Sequence, residues 1–163
     1  MRIIVLSLLL LILTGGCQLA DQSQQHAENN PQTVAPAGGY LRNDHNQRVI
    51  VFVHGVLGDA RDTWTADNGA FWPTLLLDDP SFNEFDVYVH DYPTPLFAIS
   101  LSIDELADNL RLRLNNSAVF ENHQEVIFVC HSMGGLVTRQ LLLKYRYFAP
   151  KVSMIYFLST PST

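Results

Sequence analysis

The hydrophobic pattern divides the chain into strand-like runs separated by helix-like stretches. Val49-Ile50-Val51-Phe52-Val53, after Arg48, is apolar at every position. A strand covered on both faces of a parallel sheet reads this way. Phe85 to Val89 predicts a second strand, which runs through His90-Asp91-Tyr92 into a proline-rich loop at Pro93. Val126 to Val129 leads a third, and Val152 to Leu158 predicts a fourth. Phe71 to Leu77 predicts a short helix with an apolar face, stopped by Asp78-Asp79-Pro80. Ser102 and Glu105 have the spacing of a capping box, with Leu101 and Leu106 as its staple. Ile103, Leu106, Ala107, Leu110 and Leu114 then mark one stripe of a helix that closes at Asn115-Asn116. A last helix follows Ser132, with Leu136, Val137, Leu141 and Tyr145 inward and Arg139, Lys144 and Arg146 toward water.

The N-terminal part lacks such patterning. Residues 18–47 are rich in Gln, Asn, Ala, Pro and Gly with no apolar period, which predicts a flexible tether. Residues 1–16 have a positive start at Arg2 and an apolar run from Ile3 to Leu13, too short to span a bilayer comfortably. This predicts a signal peptide. Leu13-Thr14-Gly15-Gly16-Cys17 resembles a bacterial lipobox, which implies acylation of Cys17 and a membrane anchor. Plain secretion with an unmodified Cys17 is the alternative. Gln18 after the cysteine resembles lipoproteins held at the periplasmic face of the outer membrane. The organisation expected is a signal peptide over 1–16, a lipidated tether over 17–47 and a partial catalytic domain over 48–163.

With 163 residues and 47% hydrophobic composition, the chain is one domain at most, with a real core. A formal charge of -6 argues against nucleic acid as a partner. Two cysteines, Cys17 and Cys130, make no disulfide framework.

Candidate chemistry gathers where the third strand meets the last helix. Cys130-His131-Ser132-Met133-Gly134-Gly135 places a serine in a tight strand-to-helix turn flanked by small residues. Such a turn holds the hydroxyl outward above the end of a sheet. The segment resembles the nucleophile elbow of α/β-hydrolases, G-x-S-x-G, with Cys130 in place of the first glycine. The first strand ends in His54-Gly55-Val56-Leu57-Gly58, which resembles the oxyanion loop of the same superfamily in its lipase and serine-esterase branch. Nucleotide loops have a different glycine pattern. The resemblance implies an α/β fold with a parallel sheet flanked by helices, of which this chain holds the N-terminal portion. It implies Ser132 as nucleophile and the backbone N–H groups of Val56 and Met133 as oxyanion donors. His54, Gly55, Cys130, His131, Gly134 and Gly135 would support the elbow and loop, His54 bracing rather than acting as base. It implies no cofactor and no metal. Trp64, Phe71 and Trp72 are open between an acyl pocket and core.

From Met133 to Thr163 there is no Asp, Glu or His, whereas the superfamily's acid and base follow the serine. Val152 to Leu158 would also be left as an uncovered edge. The expectation is a fragment or a truncated gene product, inactive alone. When complete it would be a serine hydrolase of carboxylic, lipid-like esters. The alternatives are a non-catalytic hydrolase-fold lipoprotein and an acyltransferase using the same serine.

Overall fold

The computed structural model describes residues 38–55, 58–92 and 101–162. The readings made on residues 1–37, on Val56 and on Pro93 lie outside the described residues. Five strands form one sheet in the order β1-β3-β2-β4-β5: β1 Gly39–Arg42, β2 Arg48–Val53, β3 Phe85–His90, β4 Glu125–His131 and β5 Val152–Leu158. From β2 onward all pairings are parallel. The described helices are α1 Trp72–Asp78, α2 Ile103–Asn116, α3 Val119–Asn122 and α4 Met133–Lys144.

The strand order reverses direction at β2, and the core divides accordingly. Val49, Val51 and Val53 of β2 face Leu106, Leu110 and Leu114 of α2 and Val137 and Leu141 of α4. Ile50 and Phe52 face Trp64, Phe71 and Leu76 around α1. Alternate residues of one strand thus feed two opposite clusters. That is why the run reads as continuously apolar. Trp64 and Phe71 are buried in the second cluster and Trp72 packs on it, which decides these aromatics as core. The predicted capping box on α2 forms: Ser102 Oγ accepts from the Glu105 amide at 3.2 Å, and Glu105 Oε2 accepts from the Ser102 amide at 2.8 Å. Leu101, expected as half of a staple, is exposed.

Two expectations need correction. The tether does not reach residue 47, because Gly39–Arg42 adds to the sheet as β1, antiparallel to β3. Tyr40 packs edge-on against Tyr88, ring centroids 5.1 Å apart. The Arg42 guanidinium donates to the carbonyls of Phe85 at 2.8 Å and Phe82 at 2.7 Å. The sheet is therefore mixed at this edge. On α4, Leu136 is only half-buried, while Thr138 is fully buried. His123, just before β4, is buried between the Val119 carbonyl at 2.7 Å and the Asp86 carboxylate at 3.0 Å.

Candidate active site

β4 ends at His131 and α4 begins at Met133, so Ser132 alone makes the turn. Its backbone sits at φ 50° and ψ −125°, a region that costs an L-residue about 1–3 kcal/mol and persists only where neighbours over-determine it. Here they do. The Ser132 amide donates to the Leu158 carbonyl of β5 at 2.8 Å, and the Ser132 carbonyl accepts from the Gly135 amide at 3.2 Å. The serine is partly exposed, whereas Cys130 and Gly134 on either side are buried.

Three glycines make the turn possible by closeness. A Cβ on Gly134 would run into the Val53 carbonyl oxygen and lie 2.5 Å from that of His54. The first turn of α4 therefore rests on the C-terminal end of β2. A Cβ on Gly55 would lie 2.7 Å from Ser132 Cβ and 3.0 Å from the His131 carbonyl oxygen. A Cβ on Gly135 would run into Thr160. None of the three has a positive φ, so each is required by the space and not by its conformation.

Cys130 stands where the elbow pattern has its first glycine, and the structure accommodates it inside the sheet. Its side chain is fully buried and its thiol donates to Thr138 Oγ1 of α4 at 3.3 Å. Burial pushes the thiol up to about 12, so Cys130 is a packing residue and an unreactive one. His131 is half-buried, edge-on to Trp64 at 6.3 Å.

β2 and β4 are neighbours in the sheet, and the chain leaves β2 for β3 on its other side. Their C-terminal ends flank the point where the order reverses, which is where open α/β sheets form a crevice for ligands. Gly55 and Ser132 meet there. Met133 is the first residue of α4, so its N–H has no intrahelical partner. The α4 dipole adds partial positive charge at the same place.

His54 is fully buried behind this loop. Its Nδ1–H donates to the Gly55 carbonyl at 3.0 Å, and its Nε2 accepts from the Tyr92 amide at 3.4 Å. Desolvation lowers its affinity for a second proton, outweighing the Gly55 carbonyl and the charges of Asp91 and Asp59. Both ring nitrogens are thus committed, which suits a brace. Among the described residues no histidine hydrogen-bonds Ser132 Oγ. The structure brings together His54, Gly55, Cys130, His131, Ser132, Met133, Gly134 and Gly135. Val56 and Cys17 lie outside the described residues. Sequence reasoning missed Tyr92, Thr138 and the Leu158 carbonyl, none of which carries a local signature.

Residues 44–163 match the family described as PGAP1-like alpha/beta domain. No curated protein matches the chain in sequence. Among solved structures, the chain is similar to a lipase of Bacillus licheniformis in its mature form, at 21% identity and a TM-score of 0.51, covering 77% of this chain and 42% of that one. It is similar to a predicted CIB-like hydrolase of Thermoplasma acidophilum, at 22% identity and 0.51, covering 74% and 55%. It is also similar to a carboxylesterase of the thaumarchaeon Nitrososphaera gargenis, at 18% identity and a TM-score of 0.54, covering 76% and 42%. At these identities the likeness speaks for the fold, and the chain spans about half the length of the structures it matches.

Proposed function

The chain belongs to the PGAP1-like alpha/beta domain family and has the α/β-hydrolase fold, and from that premise we propose that it carries the nucleophile of a serine hydrolase of carboxylic esters. The observation that carries the reading is the Ser132 turn, strained at φ 50° and pressed against Gly55. In this reading Ser132 Oγ attacks the ester carbonyl carbon while its proton passes to a general base. The carbonyl oxygen becomes negative and accepts from the Met133 amide and, as the second donor, the Val56 amide. The C–O bond to the alcohol breaks and the alcohol departs with the proton. Water then attacks the acyl-enzyme and restores the serine. The base and the acid that orients it are not among the residues placed beside Ser132.

The lipase and carboxylesterase likenesses support an ester substrate, and the lipobox-like Leu13 to Cys17 supports a lipid-like one near a membrane. Acylation of Cys17 belongs to the same proposal. A non-catalytic scaffold is the second reading, favoured by the lack of any described histidine at Ser132 Oγ. One experiment separates them. The protein should be labelled by a fluorophosphonate probe, and Ser132→Ala should abolish the label. Equal labelling of the variant rejects Ser132 as nucleophile, and no labelling of the wild type favours the scaffold.

A further inference from the structure

Tyr92 lies two residues beyond the end of β3 and is 3% exposed. It grips His54 in three ways. Its hydroxyl donates to the His54 carbonyl at 2.9 Å, its amide donates to His54 Nε2 at 3.4 Å, and its ring stacks on the imidazole at 4.2 Å and 10°. His54 Nδ1–H in turn donates to the Gly55 carbonyl. The His54 carbonyl that takes the Tyr92 hydroxyl is also the atom close to which Gly134 lies. Gly55 itself abuts Ser132. One buried phenol is therefore bonded to the peptide unit that separates β2 from the serine turn.

We propose that Tyr92 is a positioning residue of the serine site, holding the plane of the His54–Gly55 peptide so that Gly55 stays seated against Ser132. The inference rests on reading Ser132 as the nucleophile. A peptide plane is a rigid unit, so fixing the His54 carbonyl also fixes the direction of the Gly55 N–H. Without the hydroxyl, that buried carbonyl loses an acceptor bond and the unit is free to turn about its flanking dihedrals. The ring stack would remain and keep the end of β3 packed. The hydroxyl then sets the geometry in which reaction occurs more than it sets the stability of the fold. Displacement of about 1 Å at a site of this kind costs about a hundredfold in rate.

Tyr92→Phe tests this, because it keeps the stack and removes the hydroxyl. The protein is assayed with a fluorophosphonate probe and a short-chain p-nitrophenyl ester, beside Ser132→Ala. The expected result is a drop of about ten- to hundredfold in kcat and in the limiting labelling rate. KM should stay within about twofold, and affinity for a boronate transition-state analogue should fall in proportion to kcat/KM. Unchanged kcat, or a rise in KM alone, overturns the proposal. So does a loss that matches the unfolded fraction of the variant. Should Tyr92→Phe not fold, the hydroxyl holds up the fold and does not merely position the site, and the proposal is overturned as well. Turnover and labelling that survive in Ser132→Ala, or a wild type with neither, overturn the serine reading and this inference together. Turnover lost in Ser132→Ala but intact in Tyr92→Phe overturns the positioning role alone.

Discussion

Gly55 has no side chain in the place where Ser132 stands. A methyl group there would sit 2.7 Å from Ser132 Cβ, closer than carbon atoms tolerate, so either the loop or the serine must shift. Gly55→Ala is therefore expected to cut fluorophosphonate labelling by about a hundredfold or more, with the folded state retained in circular dichroism. Labelling at the wild-type rate would mean that the contact does not govern the site. This glycine was legible in the sequence because a strand followed by His-Gly is a pattern with a local cause. Tyr92 was not legible. Its hydroxyl matters only because the sheet brings residues 54 and 92 together, and no spacing announces that. Cys130 was legible as a departure from the elbow pattern, but its accommodation was not. That depends on Thr138, a polar residue that helical periodicity alone would not place inward.

At the scale of elements, two buried imidazoles, His54 after β2 and His90 at the end of β3, lie against the Tyr92 ring. His90 is buried with no hydrogen-bond partner at either ring nitrogen among the described residues, and its ring stacks on Tyr92 at 5.3 Å. Burial, and then repulsion from His54 and Arg113, pushes His90 down to about 3. Burial also lowers His54. Both folded values lie below the unfolded imidazole value of about 6.5. The unfolded chain therefore binds more protons in the window beneath that value. The His90 contribution is full above about pH 6.5 and falls as pH drops toward about 3, with a slope approaching roughly 1.4 kcal/mol per pH unit, and His54 acts in the same direction. Below the folded value that group's contribution levels off. Replacing His90 should flatten the curve. In urea titrations, His90→Phe is expected to gain on the wild type steadily from pH 6.5 to 4.5, and a constant difference across that range would contradict the assignment. The strands and α2 were readable from their apolar runs and capping box. β1 was not, because four residues carry too little pattern and its place depends on Arg42 reaching the carbonyls of Phe82 and Phe85.

For the whole molecule, the sheet is closed over on both faces from β3 to β4 and open at β5. Met154 and Tyr156 share the α1 face with Ile127 and Val129, and Phe157 shares the α4 face with Cys130. They are 54%, 52% and 45% exposed. An apolar run reads as buried in the sequence, and here its neighbours among the described residues cover only one edge. β5 nonetheless has a task at the site, since its Leu158 carbonyl takes the Ser132 amide. The account as a whole requires that strand, loop and helix converge so that Ser132 attacks and the start of α4 receives the charge. A crystal structure of the protein after reaction with a fluorophosphonate measures this directly. A single adduct on Ser132 Oγ is expected, with the phosphoryl oxygen about 2.7–3.1 Å from the Met133 amide nitrogen. An adduct on another residue, or an oxygen turned away from that amide, would contradict it.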